Sequence, residues 1–293
     1  MNAAHAVDPE LTLVIPTLGR PVLRRMLGAV VAGDTWPARV VIVDQGRSSE
    51  IVALAEETHA AGLDVLYLPS ARTGRSAGLN DGIARVATPY VAITDDDCLV
   101  APDWVRRLGA RLRRHAPAIV TGRVDAGEGE AQLAVVTSAV EEIQRRPRLR
   151  FDRLSGGNMG LALDVARRVG PFAEAAAMRT AEDNEYAYRA LRAGVPIVYA
   201  PDVIVAHLGW RDTVGRQEQY RGYALSQGGF FGWYLRQGDA FIALRILVHL
   251  LRSLRRWGVA RLTGDAEMAS NGRAYVQGLL PGLRAGWRER GRA

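Results

Sequence analysis

With 293 residues, 48% of them apolar and 24% charged, the chain is long enough for one domain with an appendage, and its composition excludes a fibrous or disordered protein. A single cysteine, Cys98, excludes an internal disulfide, and the absence of lysine makes all 38 basic residues arginine. The net charge of +7 is uneven: residues 211–293 hold 14 Arg against 6 acids while residues 1–210 hold 24 Arg against 25, so the basic character belongs to the tail.

Residues 1–10 lack the basic start and apolar core of a signal peptide, and no run of 18 apolar residues is free of charge, so neither a leader nor a spanning helix is expected. Residues 11–17 read as a buried strand ending in Pro16-Thr17. The loop Leu18-Gly19-Arg20-Pro21 leads into a helix to about Ala32, with Pro21 suited to its first turn. Residues 39–44 form a second apolar strand closed by Asp44, and a helix capped by Ser48 or Ser49 follows to near Gly62. A third strand (64–68), a third helix (76–86) and a fourth strand (90–94) come next. Continuous apolar strands alternating with helices predict a mostly parallel sheet with helices on both faces. Ligands sit at the carboxyl ends of strands in such sheets, and Thr17, Asp44 and the run Asp95 to Asp97 all fall there.

The fourth strand carries the densest chemistry. Three consecutive carboxylates, Asp95, Asp96 and Asp97, repel one another, and a divalent cation backed by a diphosphate supplies a reason for placing them together. The structural alternative is a solvated acidic turn before a helix at Pro102. A dinucleotide fingerprint would need Gly-x-Gly-x-x-Gly after the first strand, where this chain has Pro16-Thr17-Leu18-Gly19-Arg20-Pro21, and a phosphate loop would need lysine. What remains is a nucleotide site built from acids.

The motifs Val14-Ile-Pro-Thr17, Val41-Ile-Val-Asp44, Gly74 to Asn80-x-Gly82-Ile83 and Thr94-Asp95-Asp96-Asp97 resemble, in order, those of family 2 glycosyltransferases with a GT-A fold. Downstream, Ser155-Gly156-Gly157-Asn158, Ala181-Glu182-Asp183-Asn184-Glu185 and the strand ending in His207 continue the match, so the resemblance covers roughly residues 11–210. It implies a Rossmann-like GT-A domain over residues 1–210 and leaves residues 211–293 as a C-terminal helical appendage. Pro16, Thr17, Asp44, Asn80, Asp95 and Asp96 would line the donor pocket, with Asp44 bonding base or ribose. Asp97, joined by His207, would hold Mg2+ or Mn2+ against the diphosphate. Asp183 would be the general base, and Glu182, Gly157 and Asn158 would face sugar or acceptor.

Each role has a structural alternative. Acids in the first turn of a helix, as at Glu182 and Asp183, also complement the macrodipole. His207 ends an apolar strand, where a lone His is often structural; Gly156-Gly157 also fits a bulge, Asn158 a turn, and Cys98 a small apolar residue. Relatives carry an Arg on the third helix where this chain has Leu79, and Arg75, four residues earlier, is placed to substitute for it.

In the tail, residues 239–257 read as a helix capped by Asp239, with Arg245, His249, Arg252 and Arg256 on one stripe. That stripe predicts a helix in a membrane interface with arginines toward anionic lipid; packing on the catalytic domain or in a homodimer is the alternative, and nucleic acid is not expected. The resemblance implies an inverting transferase, cytoplasmic or peripheral on the inner face of the membrane. It would move a sugar from a nucleoside-diphosphate donor to a glycan, lipid-linked saccharide or small-molecule hydroxyl. The alternatives are a sugar-phosphate nucleotidyltransferase, disfavoured by the lack of lysine, and a silent glycan- or nucleotide-binding module.

Overall fold

The computed structural model describes residues 5–128, 135–209, 213–263 and 266–289. The chain divides into two compact units. One comprises Met1–Arg146, Arg153–Phe172 and Arg189–Trp210; the other comprises Pro147–Asp152, Ala173–Tyr188 and Arg211–Ala293. The boundary expected at residue 210 lies outside the described residues, and the second unit takes in two earlier segments as well.

The first unit opens with β1 (Ala6–Thr17), α1 (Leu23–Val31), β2 (Thr35–Asp44), α2 (Ser49–Ala60), β3 (Val65–Pro69), α3 (Arg75–Ile83) and β4 (Tyr90–Thr94). After β5 (Cys98–Val100) come α4 (Trp104–His115), β6 (Ile119–Ala126), β7 (Glu142–Gln144), β8 (Asn158–Ala162), α5 (Leu163–Val169) and, beyond it, β9 (Ile197–His207). Among the described residues one nine-stranded sheet runs β3-β2-β1-β4-β8-β6-β9-β5, with β7 paired to β9. The pairs among β1, β2, β3 and β4 are parallel, and β8 runs antiparallel to both β4 and β6. Residues 11–17 are all buried, as a strand covered on both faces requires. Leu11, Leu13, Ile15, Val40 and Ile42 join Leu23, Met26 and Leu27 of α1 in one core. Ser48 caps α2, accepting from the Glu50 amide at 3.2 Å.

The second unit contains a 3-10 turn (Ala176–Met178), the start of α6 (Glu182–Arg192), α7 (Thr213–Arg236), α8 (Ala240–Thr263) and α9 (Ala266–Arg288). Met178, Tyr188, Phe230, Phe231, Ile242 and Leu279 form its core. Small residues let α7 and α9 touch backbone to backbone: a Cβ on Gly282 would lie 2.0 Å from the Leu225 carbonyl, and one on Gly232 2.2 Å from that of Leu283. No described helix is long and apolar enough to cross a membrane.

The orientation of α8 corrects the expectation for the tail. Asp239 caps it as predicted, accepting from the Phe241 amide at 3.0 Å. Arg245 and His249, however, are 2% and 3% exposed. A buried partner explains this: the Arg245 Nη2 meets Asp152 Oδ2 at 2.7 Å, and its Nε donates to the Arg150 carbonyl at 2.9 Å. The guanidinium also lies 5.5 Å from the Tyr188 ring centre, a cation–π contact. Two members of the expected lipid-facing stripe therefore point into their own unit.

Candidate active site

β4 delivers the acids. Its last residue, Thr94, pairs with Asn158 of β8 and donates from Oγ1 to the Gly157 carbonyl at 2.8 Å. Asp95 to Asp97 then turn the chain into β5, whose Cys98 pairs with His207 at the end of β9. That pairing brings the imidazole to the triplet: His207 Nε2 stands 3.7 Å from Asp97 Oδ1. Cys98 Sγ lies 4.0 Å from the same oxygen, and one ligand atom from each of Asp97, Cys98 and His207 falls within 4.8 Å of the others. At 3.7 Å apart, the Asp97 and His207 atoms can share one cation at about 2.0–2.2 Å, and this carboxylate–imidazole pair fits a divalent metal. Cys98, read from sequence as a small apolar residue, lies in the same cluster, but burial pushes its thiol well above the ordinary range and disfavours the metal-binding thiolate.

The triplet is also balanced from within the protein. Arg20, which the sequence reading left in a loop, bridges two of the acids. Its Nε donates to Asp96 Oδ2 at 3.1 Å, its Nη1 to Asp97 Oδ2 at 3.0 Å, and its Nη2 meets Asp96 Oδ1. Thr17 Oγ1 donates to Asp96 Oδ2 at 2.6 Å and accepts from the Gly19 amide at 3.1 Å. Asp96 is 0% exposed, and burial pushes its carboxyl above the usual carboxylate range against the pull of Arg20 and Thr17. Burial opposes the charge of Arg20, and Asp96 and Asp97 outweigh it, raising its pKa. Arg75 Nε, from the start of α3, donates to Asp95 Oδ1 at 2.7 Å. The crowded acids thus have two guanidinium partners, and a metal is not their sole justification.

The two glycines of the Gly-Gly-Asn motif make room for these groups. A Cβ on Gly156 would sit 3.0 Å from both terminal nitrogens of Arg75, and one on Gly157 2.9 Å from Cys98 Sγ and 3.0 Å from Asp95 Oδ2. Pro16 is buried beside Gly78 of α3, where a Cβ would come within 3.0 Å of its ring, so it fixes how closely α3 approaches β1.

Three expected contact residues are occupied by the fold. Asp44 is 0% exposed and accepts four hydrogen bonds, from the amides of Gly46, Arg47 and Ser48 at 2.8–3.0 Å and from the Tyr67 hydroxyl at 3.0 Å. It holds the turn after β2, where a contact to base or ribose was expected. Asn80 clamps the Phe172 backbone, donating to its carbonyl at 2.9 Å and accepting from its amide at 2.8 Å. Asn158, 0% exposed, accepts from Trp104 Nε1 at 2.8 Å and donates to the Arg123 and Val203 carbonyls at 2.8 and 2.9 Å. Three of the four hydrogen-bonding positions of its amide are used inside the core.

Glu182 and Asp183 lie in the second unit, at the start of α6. Glu182 is buried, and Asp183 is half-buried with its Oδ1 accepting from the Asn184 amide at 2.7 Å. Acids in this first turn complement the helix dipole, and Glu185 beside them accepts from the Tyr234 hydroxyl at 2.6 Å.

A mostly parallel sheet whose strand ends gather carboxylates, arginines and an imidazole defines an α/β protein of the GT-A kind. The profile of glycosyltransferase like family 2 matches residues 9–221, and the chain belongs to that family of sugar-transferring enzymes. It is 23% identical over 117 residues to glycosyltransferase GlyA of Streptococcus pneumoniae serotype 4, a match spanning 40% of this chain and 17% of that protein. Mannosyltransferase PcManGT from Pyrobaculum calidifontis superposes with a TM-score of 0.61 at 16% identity over 96% of this chain and 88% of its own. TarS of S. aureus does so with 0.55 at 14% identity over 79% of this chain, which spans 44% of TarS.

Proposed function

We propose that the chain is an inverting, metal-assisted glycosyltransferase that moves a sugar from a nucleoside-diphosphate donor to a hydroxyl acceptor. The observation that carries this reading is the acid triplet at the end of β4, with Asp97 3.7 Å from His207. The family membership supports it. PcManGT was solved with GDP-Man and Mn2+ and a TarS fragment with UDP-GlcNAc, which supports a nucleotide-sugar donor but not one base or sugar.

Asp97 and His207 would hold Mg2+ or Mn2+, which when bound supplies Lewis-acid stabilisation of the departing nucleoside diphosphate. Arg20 and Thr17 orient Asp96 and Asp97 for that task. Arg75 and Asp95 flank the donor, and Asp44 and Pro16 act through the turn and strand end they hold. Asp183 takes the proton from the acceptor hydroxyl, whose oxygen bonds to the anomeric carbon as the bond to the diphosphate oxygen breaks, and Glu182 assists acceptor binding. A single displacement of this kind inverts the anomeric centre. The acceptor is a glycan or lipid-linked saccharide of cell-envelope or polysaccharide assembly, met in the cytoplasm at the inner face of the membrane.

A thermal-shift panel of nucleoside diphosphates with and without Mn2+ tests the reading. A ligand at 100 times its dissociation constant adds about 2.7 kcal/mol to the folded state. One nucleotide should raise the melting temperature only with the cation; a panel without response contradicts the proposal.

A further inference from the structure

α8 presents to solvent a face that its own unit leaves uncovered. Leu244, Leu247, Leu251 and Leu254 are 47–58% exposed and Leu262 is 89% exposed. At about 100° per residue these five fall within a sector of roughly 80°. The buried residues Ile242, Arg245, His249, Ser253 and Ala260 occupy the opposite side. Arg255 stands at one edge of the leucine sector and Arg261 at the other, and no acid occurs between Ala240 and Thr263. Partial burial, then repulsion from Arg150, Arg256 and Arg255, holds the Arg252 guanidinium below its ordinary pKa.

We infer that this leucine face, with its flanking arginines, is a docking surface for an anionic bilayer. Helix α8 lies in the headgroup plane with its leucines in the acyl boundary and Arg255 and Arg261 reaching lipid phosphates. An interfacial helix needs both features, an apolar sector and cations at its edge. A second copy of the chain would satisfy the leucines but set the same arginines against each other. A nucleic acid would satisfy the arginines but leave the leucines in water. The face is the reverse of the one that spacing of arginines predicted, since Arg245 and His249 belong to the interior. The inference gives a surface to the membrane placement proposed above and is independent of the transfer chemistry, because its test contains no sugar donor.

The full-length protein is sedimented with phosphatidylcholine vesicles carrying or lacking phosphatidylglycerol. Pelleting is expected with the anionic vesicles, weakening as salt rises. Leu247→Ser with Leu251→Ser should lower the partition coefficient about tenfold or more while leaving the melting temperature unchanged, since both side chains are exposed. Arg255→Gln with Arg261→Gln should flatten the salt dependence. A parent protein that fails to pellet with anionic vesicles, or leucine variants that pellet as the parent does, overturns the inference. A dimer that the leucine variants dissociate, without any vesicle binding, gives the face to a second copy instead.

Discussion

Asp96 shows how a wholly buried carboxyl is supplied with partners by the fold. Two nitrogens of Arg20 and the Thr17 hydroxyl surround it, and Arg20 holds Asp97 as well. Arg20→Gln should therefore lower stability by about 1–3 kcal/mol, the cost of leaving a buried carboxylate short of donors. In the same variant Mn2+ alone should bind more tightly, because a positive neighbour of Asp97 has gone. Calorimetric titration of the bare cation checks this, and weaker binding would contradict it. Asp183→Asn should keep donor affinity and lose transfer by about 10²–10⁴-fold, the usual worth of a general base. Unchanged turnover would move the base elsewhere.

Some of these roles were legible in the residues and some were not. The triplet's place at a strand end follows from an apolar run closed by acids. Asp44 followed by Gln45-Gly46-Arg47-Ser48 is itself a signature of an aspartate turning back onto backbone amides, and it could have been read that way. Arg20 could not: its partners lie 76 and 77 residues further on, and nothing local marks a loop arginine as one that will fold onto them. Asn158 likewise meets Trp104, Arg123 and Val203, three positions that only the sheet brings together.

At the scale of elements, periodicity locates the faces of a helix but does not say which one is buried. The arginine and leucine stripes of α8 lie on opposite sides, and Asp152, 93 residues from Arg245, decides between them. The glycines of α7 and α9 carry a clearer message, since Gly228 and Gly232 on one helix and Gly278, Gly282 and Gly286 on the other recur every fourth residue. Gly282→Ala should cost about 1–3 kcal/mol or more, because its Cβ would overlap the Leu225 carbonyl. Gly258→Ala in α8, where nothing lies within 4 Å, should be neutral or stabilising by up to about 1 kcal/mol. Denaturant midpoints of the two variants compare them directly, and equal shifts would refute the close packing of α7 and α9.

For the whole molecule, His249 ties stability to pH. Burial, reinforced by the charges of Arg245 and Arg252 against a hydrogen bond to the Arg150 carbonyl, lowers its pKa from 6.5 to about 4. Between those values the unfolded chain binds a proton that the folded protein refuses, so stability falls as pH drops from about 6.5 toward 4. The loss approaches about 3 kcal/mol, from 1.36 kcal/mol for each unit of depression. His249→Gln should flatten the acid limb of the melting curve relative to the parent; identical limbs would show that His249 does not contribute.

The claim on which the functional account turns is that Asp97 joins a cation to a donor diphosphate. Titrating the nucleotide selected by the thermal-shift panel into parent and Asp97→Asn protein, with Mn2+ and again with chelator, measures it. The account predicts binding that requires both the metal and the carboxylate; equal affinity in chelator, or in Asp97→Asn, would contradict it.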